Sequence, residues 1–163
     1  MARFKMSRLS CTAVGALVAV LATPFVAFSS HQTFAGRHRL DTSAGKPAFM
    51  FSLHGPINGR LHYSVTIYGS GAVSATGTVS LPSKGLRFSR DTLDGLLRLA
   101  EAESFFTMPQ VINGGEPLPD AGSNVITIHT TSETKTVVEQ SPTRNTRFDQ
   151  LFAVLNAVAG VGG

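Results

Sequence analysis

Among the 163 residues there is one cysteine, Cys11, and no tryptophan. Cys11 sits in an apolar leader, so a chain cut after that leader has no cysteine, and neither disulfides nor thiolate chemistry serve it. Stability must then come from a packed core. Charge of one sign is missing as well. Of 14 Lys and Arg, Arg3, Lys5 and Arg8 belong to the leader, which leaves 11 against ten Asp and Glu, a net charge of +1. No broad basic field remains for nucleic acid. The local cluster His31, Arg37, His38 and Arg39 reads as a solvated tail rather than a tether to an anionic surface.

Catalytic signatures are equally scarce. There is no H-E-x-x-H helix, no G-x-S-x-G elbow and no Cys/His pair, and His54, His62 and His129 fall on separate expected strands without a carboxylate at ligand spacing. They read as sheet-surface histidines. Ser132-Glu133-Thr134-Lys135 has the letters of S-x-x-K, but at a hairpin tip, where the two side chains should diverge into solvent. Leu81-Pro82-Ser83-Lys84-Gly85 has the letters of a sorting signal, but no apolar tail follows it, so it reads as a turn. Gly69-Ser70-Gly71 precedes a strand and not a helix, so it is no phosphate loop. A non-enzymatic protein without metal or cofactor is expected.

What is present begins with that leader. Arg3, Lys5 and Arg8 precede the 18 uncharged residues from Cys11 to Phe28, the order of a secretory signal peptide. The run is at the short limit for crossing a ~30 Å hydrocarbon core, and Pro24 would break a spanning helix. Cleavage after Ser29 is therefore expected, with Ala35 as a second cut and a retained signal anchor as the other reading. The division is residues 1–29 as signal peptide, 30–46 as a disordered linker and 47–163 as one domain, secreted or held in the cell envelope, monomeric, and touching a membrane only if the signal is retained.

Within 47–163, Ala48–His54 is a short apolar run ended by Gly55-Pro56. Leu61, Tyr63, Val65 and Ile67 alternate with polar residues, Gly69-Ser70-Gly71 turns the chain, and the alternation resumes from Ala72 to Leu81. Ser89 is a helix N-cap ahead of Leu93, Leu96, Leu97 and Ala100 at i, i+3, i+4 and i+7, which predicts a helix from about Arg90 to Ser104. Phe105 and Phe106 follow as core residues before Pro109. Val125–Thr131 and Thr134–Gln140 predict a second hairpin, and Phe148, Leu151, Phe152, Leu155 and Val158 a closing helix ended by Gly160. The order βββαββα implies an α+β, two-layer fold: an antiparallel sheet of about five strands with both helices on one face.

The hairpin around Gly69 and Gly71, the stripe Leu93, Leu96, Leu97 and Ala100 leading into Ser104-Phe105-Phe106-Thr107-Met108-Pro109, then Pro119-Asp120, Val125–Ile128 and Phe148–Leu155, form a pattern. From Leu61 onward it resembles the emfourin family, small proteinaceous inhibitors of thermolysin-like metallopeptidases. That resemblance implies a compact binding domain with a protein partner, a peptidase, reached by a loop. The aperiodic segment Gln110–Gly122 is the candidate, with Gln110, Val111, Asn113, Glu116, Pro117, Pro119 and Asp120 as contact residues, its prolines limiting the entropy lost on binding. Glu116 and Asp120 could serve as an acid/base pair, although Asp120 before Ala121-Gly122 reads more simply as a turn residue. The alternatives are an envelope interaction domain and a hydrolase of unrecognised site. Sequencing the N-terminus of secreted protein should find His31 or Ser30 near the start, consistent with the cut after Ser29; a mature protein beginning at Met1 contradicts the leader.

Overall fold

The computed structural model describes residues 38–43, 45–56, 62–82, 85–113 and 121–161. The expected signal peptide, both cleavage positions, and Glu116, Pro117, Pro119 and Asp120 lie outside these residues. Six strands, β1 Pro47–His54, β2 His62–Tyr68, β3 Val73–Gly77, β4 Val111–Ile112, β5 Ser123–His129 and β6 Thr134–Gln140, join two helices, α1 Arg90–Ala102 and α2 Thr146–Ala159. The sheet order is β3-β2-β1-β5-β6-β4. The fold is α+β, as expected, but the sheet is mixed and has a sixth strand. Part of the expected loop is that strand: Val111 pairs with Val138 and Ile112 with Glu139 in parallel. Two residues are too few to show a period of two, which is why the alternation argument passed over them.

Alternation decides which side of the sheet is dry. Phe49 and Phe51 on β1, Val65 and Ile67 on β2, Ile126 and Ile128 on β5 and Val137 on β6 are fully buried, and they share one core with Leu93, Leu96, Leu97 and Ala100 of α1 and Phe148, Leu151, Phe152 and Leu155 of α2. The alternate positions form cross-strand rows, one of them Ser74, Thr66, Met50, Thr127 and Thr136. This face is rich in hydroxyls and only partly buried, so the sheet, antiparallel but for β4, carries its helices on one side and meets solvent on the other.

Local chemistry sets the ends of the elements. The Ser89 hydroxyl accepts from Thr92 N–H and Asn145 Oδ1 accepts from Arg147 and Phe148 N–H, so both helices start at side-chain caps. Gly160, at φ 70°, closes α2. α1 ends at Ala102, two residues before the expectation, because Ser104 adopts φ 59° and a 3-10 turn over Phe105–Thr107 follows. β3 stops at Gly77 rather than running to Leu81. Gly77 has φ 99°, and Thr78 turns away, donating its N–H and hydroxyl to the His62 carbonyl, each at 2.8 Å. Val79 and Leu81 still pack against the core, which explains their apolar spacing.

The packed unit also begins earlier than Pro47. Leu40, placed by sequence in the linker, is 3% exposed and bridges to Thr130. Its neighbour Asp41 accepts from the Ser43 hydroxyl, the Lys46 ammonium and the Ser43 N–H, which together hold its carboxyl well below the ordinary carboxylate range. Gly69 lets this arm approach: a Cβ there would meet the Thr42 Cα at 2.7 Å. Composition hid the arm because a single buried leucine among polar residues has no periodicity.

Phe105 is fully buried, whereas Phe106 is partly exposed and stacks on the His38 ring at 3.8 Å between centroids. Phe105→Ala should therefore cost about 3–5 kcal/mol and Phe106→Ala clearly less. Thermal or urea melts of the two variants check the ranking.

Candidate functional site

Two regions have the geometry of a site. The first is the start of the expected contact loop. Gln110 O accepts Val138 N–H at 2.9 Å, Ile112 is buried, and Val111 between them is 43% exposed, the one exposed large apolar side chain among the described residues. Asn113 is exposed. The structure thus anchors Gln110–Ile112 on the sheet, with Asn113 next in the chain. At the opposite sheet margin, β3 is flanked by Leu86–Phe88, where Leu86 O accepts Val73 N–H and Phe88 N–H donates to Gly71 O. Beyond Val73, β3 is an edge of the sheet, and β4, paired with β6 alone, is the edge at the other margin.

The second region was not singled out in the sequence. The ends of β1 and β5, the turn after β6 and one side of α2 enclose a cleft of about 790 Å³. Its wall is apolar at Leu53, Phe152, Ala153, Ala157 and Val161, with Asn124, Arg144, Asp149 and Asn156 supplying polarity. A smaller lobe of about 220 Å³ adjoins it, sharing Leu53, Asn124 and Arg144 and adding His54, Ser123, Ser141 and Thr143, with Glu139 among its lining.

Glu139 is the unusual group there. It is 3% exposed, on the core side of β6, and its Oε1 accepts the Asn145 N–H at 2.6 Å. Burial pushes its carboxyl above the ordinary 4.5; the Asn145 N–H and the Asn124 amide pull the other way, and the adjoining Asp149 carboxylate adds to the rise. Asp149 stands in the first turn of α2, where the helix dipole favours an acid, and its Oδ1 is 3.6 Å from Arg144 Nη1. The two carboxyls thus have unlike surroundings, one dry and one near a cation and a helix start. Only β6, the turn and α2 together bring them into contact, and residues ten apart in sequence carry no motif. On the apolar side, the Tyr63 hydroxyl donates to Asn156 Oδ1 at 2.6 Å, and Asn156 Nδ2 to Phe152 O at 3.0 Å.

The other sequence candidates do not assemble. Ser52 Oγ and His54 Nε2 lie 3.1 Å apart on the outer sheet face, but no carboxylate orients this histidine among the described residues. Lys135 does not diverge into solvent: its ammonium donates to Met108 O at 2.6 Å while Ser132 contacts Thr130, so serine and lysine form no pair. Among the described residues, no three His, Cys, Asp or Glu side chains could together hold a metal ion. No helix among them is long and apolar enough to cross a membrane. No protein-family model matches the chain, and no curated protein is significantly similar to it, so no relative's residues can be carried onto either region.

The raised Glu139 group has a signed consequence. Its folded state holds the proton more tightly than the unfolded chain, so its contribution is fully present below pH 4.5 and is lost as pH rises through the folded value. Asp41, shifted downward, works in the opposite sense: its contribution is present above the ordinary 3.8 and is lost toward acid. The Glu139 contribution should therefore fall away as pH rises above about 4.5, and Glu139→Gln should remove that slope; the difference between the melts of the two chains across pH 4–8 reads it.

Proposed function

We propose that this is an exported binding domain without catalytic activity, engaging a protein partner through residues 110–120. The observation that carries this reading is the anchored edge at Gln110–Ile112. Binding loses less entropy when the contact segment is already held, and here a backbone hydrogen bond to Val138 and the buried Ile112 hold it while Val111 faces outward. An open edge strand also offers main-chain donors and acceptors to a partner's extended segment. The partner class that the emfourin resemblance implies is a thermolysin-like metallopeptidase, and export would place the encounter outside the cytoplasm.

The cleft favours a second reading, a hydrolase, because it is concave and gathers Glu139, Asp149, Arg144 and Asn124. Against it, no hydroxyl or thiol nucleophile is seen hydrogen-bonded to an oriented base among the described residues. Binding is preferred.

The exported chain should slow a thermolysin-like peptidase at micromolar concentration, and Val111→Asp should weaken that effect at least tenfold with an unchanged melt. Peptidase rate assays over a panel of such enzymes check this; no inhibition by the native chain removes the inhibitor reading, and hydrolysis of a model ester or amide that is lost in Asp149→Asn favours the enzyme.

A further inference from the structure

The cleft is built in two halves of opposite character. Leu53, Phe152, Ala153, Ala157 and Val161 make the larger lobe mostly apolar, while the smaller is lined by polar residues, among them Ser141, Thr143 and Asn124. Arg144 and Asn124 line both lobes and so stand where one passes into the other. A volume near 790 Å³ lies within the ~300–1,000 Å³ of small-molecule sites, where an apolar wall supplies affinity and a few convergent polar groups fix orientation.

We propose that the two lobes together bind a single-chain anionic amphiphile, its apolar tail along α2 in the larger lobe and its carboxylate or phosphate head in the smaller. The polar groups decide the sign of the head. The Arg144 side chain is 80% exposed, and its contact with Asp149 is 3.6 Å, too long for a strong hydrogen bond. A guanidinium has five N–H donors in a fork suited to carboxylate or phosphate, so it can take a head without leaving Asp149. The Asn124 amide, which lines both lobes with Arg144, adds a donor there. Burial favours the neutral form of Glu139, which lessens repulsion from the carboxyl in the smaller lobe. A cationic head would instead meet Arg144 at the junction. This inference is independent of the peptidase reading, since it uses none of residues 110–113.

The experiment is calorimetric titration of the exported chain with monomeric laurate and dodecyl phosphate, against dodecyltrimethylammonium and dodecanol, all below their aggregation limits. At least one of the two anions should bind at least tenfold more tightly than the cation and the alcohol, and the tighter of the two identifies the head. Arg144→Gln should weaken it tenfold or more, and Ala157→Trp, which fills the larger lobe from an exposed position of α2, should abolish it; unchanged melts of both variants show that the fold is intact. Failure of both anions to bind, equal binding of the cation or the alcohol, or full affinity in Arg144→Gln overturns the proposal. The inhibition assay with Val111→Asp reads a different surface, so the two results are separable.

Discussion

The seam between β1 and β5 joins two hairpins made from opposite halves of the chain. β1 pairs with β2 on one side and β5 on the other, so Phe49 lies beside both Ile67 and Ile128, and Phe51 beside both Val65 and Ile126. All six side chains are essentially inaccessible. Without the seam, each hairpin would expose an apolar face and an open edge. With it, one continuous sheet face is covered by two helices, and a domain without a disulfide among its described residues draws its stability from apolar burial. Pairing across so great a sequence distance also carries a loop-closure cost, which the burial has to exceed.

From that sheet, both candidate regions follow at its margins. β6 lies between β5 and β4; the main chain of its last residues anchors the exposed Val111 edge, and the Glu139 side chain at that same end reaches the start of α2. Asn145 does two jobs at that junction, capping α2 with its side chain and giving its own N–H to Glu139. A buried carboxyl carries a desolvation penalty that a glutamine there would avoid, and such groups gather at functional positions more often than elsewhere. The cleft is therefore the place where the fold accepts a local cost.

The arm before β1 shows how a segment of little apolar content becomes part of a packed unit. Leu40 fills one core position, while the His38 ring lies on Phe106 and reaches Glu101 and Glu133 at 3.1 and 3.0 Å. Residues of α1, the β5–β6 turn and the arm are thus tied at one point. Gly69 permits the approach because any side chain there would collide with the Asp41–Thr42 backbone.

Much of this was legible before any coordinates. The alternation from Tyr63 to Ile67 named the inward side of β2 correctly, the i, i+3, i+4, i+7 stripe named the four buried residues of α1, and Ser89 and Gly160 marked helix ends, because each signal is local and its period is set by backbone geometry alone. The inward set of β5 stayed open in the sequence, since Val125 and Ile126 are both good strand residues; only pairing with β1 turned Ile126 and Ile128 inward and left Val125 on the outer face with Thr127. The two-residue β4, the buried Leu40 and the Glu139–Asp149 contact had no local signature at all. The sequence by itself determined the class of fold, the amphipathic faces and the caps, which depend on neighbours along the chain. Tertiary structure alone decided the sheet order, the parallel edge strand and the cleft, because these depend on which distant segments exclude water together.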